Sequence, residues 1–150
     1  MPAVPKTFRP PKPRQPLKKS RIKQGKGNPF PQKVKTQMDI RDEGRCRHPG
    51  CWRKKDHHHH ISNKKMGSTS VFWIHDERNG VCLCDLHHIL AHGKSFWRLF
   101  WEAWQVHNFG WWAGESMNVS EWIDRNELRL QRTNIDVRKL VENVLTNSTG

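Results

Sequence analysis

Between positions 95 and 112, Phe96, Leu99, Phe100, Ala103 and Trp104 recur at helical spacing, with Trp97 and Trp101 alongside. The pattern predicts a helix buried around much of its circumference and ending at Asn108-Phe109-Gly110. Two more helices are predicted downstream. One is capped near Asn118 or Ser120 and carries Trp122, Ile123 and Leu128; the other follows Asn134, with Val137, Leu140, Val141, Val144 and Leu145 on one face. Residues 95–150 thus read as a Trp-rich helical extension that packs on the module before it. Six of the eight Trp fall between 97 and 122, which reads as a core able to bury enough area for a small domain. Base stacking by an exposed Trp is the alternative.

Upstream the apolar periodicity disappears. Residues 1–38 alternate Pro with Lys and Arg and are predicted to form a disordered basic tail, because too little apolar surface is available to offset chain entropy. All 14 acidic residues lie at or beyond Asp39, so 1–38 carry +11 and 39–150 carry +2 of the net +13. A tail of that sign is attracted to polyanions, with Lys12, Arg14, Lys18, Lys19, Arg21 and Lys23 as nucleic-acid-binding candidates; a solvated linker is the bland reading. No apolar stretch suits a membrane span, and the N-terminus lacks the apolar segment of a secretion signal. The expectation is a cytoplasmic protein without membrane contact.

Residues 39–94 hold all four Cys and nine of the ten His, so local chemistry must organise them. Cys46-Arg47-His48-Pro49-Gly50-Cys51 is a Cys-x4-Cys knuckle whose Pro and Gly permit a tight turn. Cys84-Asp85-Leu86-His87 adds a Cys-x2-His pair. Together Cys46, Cys51, Cys84 and His87 supply the four N/S ligands of a closed structural zinc site. Cys82 would point to the opposite face of a strand and is either a packed residue or a substitute ligand. A disulfide is the alternative for any Cys pair, disfavoured without secretion. If a helix starts near Asp85, His88 and His92 stand at i and i+4 on one face and can hold one cation, while His87 turns about 100° away toward the knuckle.

The order of these residues resembles the HNH, or ββα-metal, nuclease family in its zinc-knuckle form. The resemblance rests on Cys46 and Cys51, His59-His60-Ile61, Lys65-Met66-Gly67, Asn79, Cys84, His87, His88 and His92, and covers about residues 44–93. Two departures are visible: the second downstream knuckle ligand is His87 where the family usually has Cys, and the run His57–His60 permits more than one register for the His pair. The apolar Ile61 selects His59-His60. The resemblance implies an α+β fold, a small zinc-stabilised ββα-metal module followed by the helical extension. It further implies a catalytic divalent ion, Mg²⁺ or another first-row metal, at His59, His88 and His92. His60 is then the general base and Asn79 the residue orienting it by an amide hydrogen bond. Asn79-Gly80 also reads simply as a turn.

The activity implied by the resemblance is that of a metal-dependent endonuclease acting on double-stranded DNA, in the short basic format of phage and mobile-element HNH proteins. A double-strand break would need a homodimer or two encounters, and a phage packaging or recombination protein is a further expected partner. The competing readings are a zinc-stabilised nucleic-acid-binding module without catalysis, and a nuclease for RNA or branched DNA.

Overall fold

The structure, a computed structural model, describes residues 29–62 and 72–147. The chain is α+β: the described residues form six helices and two two-stranded antiparallel sheets. In order these are α1 (Gln32–Arg41), β1 (His57–His60), a short 3-10 helix (Glu77–Asn79), β2 (Gly80–Leu83), α2 (Asp85–Gly93), α3 (Ser95–Phe109), β3 (Trp111–Trp112), β4 (Glu115–Ser116), α4 (Val119–Arg125), α5 (Glu127–Arg132) and α6 (Val137–Asn147). Among the described residues no helix is long and apolar enough to cross a membrane.

The tail boundary expected at 38 falls inside α1 and is corrected by the structure. Pro31 starts α1, and Phe30 and Met38 are buried beside Cys82 of β2, with Val34 packed against them. This packing depends on Gly80: a Cβ there would lie 2.5 Å from Met38 Cε and 2.8 Å from Phe30 Cζ. Gly80 is therefore the first residue of a strand that makes room for α1, and not part of a simple turn, the alternative reading of Asn79-Gly80. Arg41 bolts the other end, donating to the carbonyls of Glu77 and Gly80 at 2.8 and 2.7 Å while pairing with buried Asp42. Two apolar anchors and one bidentate cation thus order a segment whose own apolar pattern is weak.

β1 and β2 pair with His59 opposite Val81 and His60 opposite Gly80. Cys84 caps α2, which returns along the hairpin. α3 is buried continuously from Leu99 to Val106 and ends where Gly110 adopts a left-handed φ of 58°. The end at Asn108-Phe109-Gly110 is the one the sequence predicts, and Trp111 and Trp112 then pair with Ser116 and Glu115 in a tight hairpin. The next predicted helix is broken at Asn126 into α4 and α5; Asn118 caps α4 by accepting from the Glu121 N–H. Leu128, read as one of the apolar residues of that helix, is 69% exposed, and Leu130 is buried. Leu140 and Val144 bury the inner face of α6, whereas Leu145 turns to solvent.

Ile61, Val81, Leu83 and Ala91 share one apolar cluster with α3, Trp122, Leu130, Leu140 and Val144. The boundary expected at 94/95 therefore crosses a common core, and the helical part serves as the wall against which the hairpin and α2 pack.

Candidate functional site

The knuckle turn is held by the Cys51 N–H donating to the His48 carbonyl at 3.0 Å and the Cys46 N–H donating to the Arg53 carbonyl at 2.9 Å. It meets the first turn of α2, where His87 Nδ1 lies 3.2 Å from Cys84 Sγ and 3.4 Å from Cys46 Sγ. The ligand atoms of Cys46, Cys51, Cys84 and His87 all fall within 4.8 Å of one another. A tetrahedral zinc with ordinary Zn–S and Zn–N bonds has S···N edges of roughly 3.5 Å, so this group fits a metal such as zinc. Burial pushes the Cys46 thiol up to about 12, so a thiolate here needs a cation beside it. Burial also acts upward on Cys84, but the backbone N–H groups of His87 and Leu86 and its interactions with Cys46 and Cys51 hold it below the usual thiol value. A helix N-terminus favours that charge.

His48 completes the knuckle without being a ligand. Its ring stacks on His87 at 3.6 Å and meets Trp97 at 4.0 Å. Burial and the neighbouring His87 lower its pKa to about 4, and a cation on His87 would act in the same direction. The unfolded chain, with an ordinary His value near 6.5, takes up this proton first. The His48 contribution is thus complete above about pH 6.5 and is lost as pH falls toward 4. His48→Phe keeps the stacking and removes the titration, so its acid-unfolding midpoint should move down by roughly half a pH unit. An acid titration followed by circular dichroism checks this; a midpoint at or above that of the wild type would sink the assignment.

Alternation along β1 sorts the histidine run. His57 and His59 face α2, whereas His58 and His60 face α1. His59 is buried with its ring centroid 4.8 Å from that of His92 and 5.3 Å from that of His88. His88 Nε2 and His92 Nε2 stand 3.1 Å apart, one helical turn from each other. The structure brings these three into one cluster with ligand atoms within 4.8 Å. Burial, then His92 and His88, lower the His59 pKa to about 3; burial, then His57 and His92, lower that of His88 to about 4. Neutral imidazoles converging without a carboxylate among them fit a cation of the softer first-row type better than Mg²⁺.

His60 lies on the other face, stacked on Phe30 at 3.7 Å with Nε2 3.4 Å from His75 Nδ1. Burial and His75 lower its pKa to about 4. Asn79 makes no hydrogen bond to His60, contrary to expectation. Its amide donates to the carbonyls of Ser62 and Ile74, both at 3.0 Å, and its Oδ1 accepts from the Ser62 N–H at 3.0 Å. The fully buried side chain clamps both ends of the long β1–β2 connection, and through the Ile61 N–H on its own carbonyl it holds the end of β1. It positions His60 through the backbone.

His59, His60 and His92 line a cavity of about 430 Å³ whose opposite wall comes from the helical part: Arg98, Glu102, Trp112 and Arg129. Arg98 donates to the His92 carbonyl at 2.9 Å, and buried Glu102 accepts from Arg129 and Trp112 at 2.8 and 3.1 Å. Sequence reasoning missed these residues and His75, because only the fold brings them to the cavity; the one local signal was a charged Glu102 amid buried helix positions. Cys82 is buried on the α1 face, away from the knuckle, where its thiol donates to Asp39 Oδ1 at 3.7 Å. With His58 and Asp39 it forms a third group of possible ligands, but Lys55 Nζ already sits 3.0 Å from His58 and ion-pairs with Asp39. That ammonium fills the place a cation would take. Lys65-Met66-Gly67 and the tail candidates Lys12, Arg14, Lys18, Lys19, Arg21 and Lys23 lie outside the described residues. Comparison with protein-family models, with curated proteins and with solved structures finds no match to this chain.

Proposed function

We propose that the chain is a metal-dependent endonuclease of the HNH, ββα-metal type that hydrolyses phosphodiester bonds in DNA. One observation carries the reading: a strand–strand–helix unit in which His59, His88 and His92 converge, with His60 at the adjacent strand position lining the same cavity. His59, His88 and His92 would hold a divalent cation, which when bound supplies charge stabilisation at the phosphorane and the departing 3′-oxygen. His60 takes the proton of the attacking water as its oxygen bonds to phosphorus and the P–O3′ bond breaks. Its lowered pKa keeps it unprotonated and ready at neutral pH. His75 and Phe30 fix its ring, Asn79 holds the strand end that carries it, and Arg98 offers positive charge to the phosphate across the cavity, Arg129 being paired with Glu102. The cysteine knuckle, hung on the same α2 through His87, would carry a structural zinc that keeps the helix in register with the hairpin.

A second reading, a nucleic-acid-binding module without catalysis, is favoured by the packing of His60 against Phe30 on the face away from His59. Supercoiled plasmid incubated with the protein and Mn²⁺, Zn²⁺, Ni²⁺ or Mg²⁺ separates the two. Nicked circles that appear only with metal support the endonuclease, and unchanged plasmid with retained DNA binding supports the module.

The basic tail is proposed to add affinity and no chemistry. Residues 1–28 hold nine Lys or Arg and no acidic residue. Deleting them should reduce duplex affinity and flatten its salt dependence, by about 0.9 in the log–log slope for each phosphate that the tail neutralises, while cutting at saturating DNA persists. Deletion through 38 should in addition destabilise the fold, since it removes Phe30 and Met38. Binding titrations at several salt concentrations, with thermal melts, check both; an unchanged slope would mean that the tail does not touch DNA.

A further inference from the structure

Of the eight Trp, seven are buried or half-buried and one, Trp52, is 80% exposed. It directly follows the knuckle ligand Cys51, and the next residue is tied back by the bond between the Arg53 carbonyl and the Cys46 N–H. The backbone under this ring is thus held on both sides, while the indole itself is left in water beside Pro49 and half-exposed Leu86. Exposing the largest apolar side chain on a rigid turn is costly unless something covers it.

The charge around the ring indicates what does. Residues 45–55 contain five Lys or Arg and no acidic residue. Arg47 and Lys55 are paired with Asp42 and Asp39. Arg45, Arg53 and Lys54 are exposed and make no ion pair among the described residues. An exposed aromatic face followed directly by the unneutralised cations Arg53 and Lys54, with Arg45 bridged to Lys54, matches a nucleobase and its neighbouring phosphates. A paired base has no free face inside a duplex, so the match is to an unpaired one.

We infer that Trp52 stacks on an unpaired base of DNA while Arg45, Arg53 and Lys54 hold the neighbouring phosphates. The protein thereby engages single-stranded DNA or the single-stranded arm of a fork or gap. The knuckle meets α2 at His87, next to His88 of the candidate catalytic cluster, so the captured base sets the register of the strand relative to the cavity. This inference rests on the nucleic-acid reading proposed above.

The test uses full-length, zinc-loaded protein without added catalytic metal, in wild-type, Trp52→Ala and Trp52→Phe forms. Binding is titrated against a labelled single-stranded 20-mer, the same 20-mer with an abasic backbone, and a blunt duplex. Trp52→Ala should weaken single-strand binding roughly 5- to 100-fold, with Trp52→Phe retaining most of the affinity. Neither variant should change binding to the duplex or the abasic strand more than about twofold, since phosphate interactions alone hold those ligands. Zinc content and melting temperature should match the wild type, because the side chain is not packed. An equal loss on all three ligands, or no loss on the single strand, overturns the stacking inference while leaving DNA binding intact. Failure of the wild type to bind any of the three overturns the nucleic-acid reading and this inference with it.

Discussion

Cys84→Ser is expected to remove zinc from the knuckle and to lower the melting temperature by roughly 10 °C or more, since structural zinc contributes folding energy outright in small metal-stabilised domains. The substitution isolates the metal. Serine is nearly the same size, and at the start of α2 it is itself a favoured capping residue, so neither packing nor capping explains a large loss. Wild type treated with a strong chelator should melt like the variant. Cys82→Ser should keep full zinc content, because that thiol lies on the α1 face among Phe30 and Met38. The measurements are metal stoichiometry by elemental analysis and thermal melts of the three proteins. Wild type that purifies without zinc under non-chelating conditions, or a Cys84→Ser protein that melts with it, would rule out a structural metal at the knuckle.

His60→Ala is expected to cut plasmid roughly 10²- to 10⁴-fold more slowly than wild type, the usual contribution of a positioned general base, while DNA affinity stays within about threefold. His59→Ala and His88→Ala should lose cutting through a different route, by weakening the hold on divalent metal, visible as a higher metal concentration for half-maximal rate. His58→Ala is the internal control. Its Nε2 lies 2.7 Å from Asp39 and 3.0 Å from Lys55, so its loss should reduce stability more than rate. Cutting retained by His60→Ala and lost by His58→Ala would place the base at the neighbouring position, with the hairpin register shifted by one. Cutting retained by all four variants would mean that this cavity is not where the chemistry occurs.

Much of this architecture was legible from residue spacing because it depends on short-range chemistry. Four N/S ligands at Cys-x4-Cys and Cys-x2-His spacing must come together if they share a cation. A helix beginning near Asp85 puts His88 and His92 on one face whatever surrounds it. The apolar run through Leu99, Phe100, Ala103 and Trp104 likewise admits little besides a buried helix, and Asn118 could be read as a cap because its side chain serves the N–H three residues on.

Other features depend on partners distant in the chain. Residues 29–38 look like tail because their apolar content is low, yet Phe30 and Met38 find a site over Gly80, 42 or more positions away. The role of Asn79 as a clamp on Ser62 and Ile74 depends on where the connection returns, which spacing does not encode. Pattern alone grouped Leu128 with Trp122 and Ile123 on one helix and left Arg98, Glu102 and Arg129 without a purpose; with the helix broken at Asn126, Leu128 is exposed and Arg129 pairs with Glu102. Local spacing was sufficient for the ligand groups, since backbone geometry over three or four residues constrains them. The walls of the cavity and the ordering of α1 were decided only when long-range burial and buried polar pairing selected among local alternatives of similar free energy.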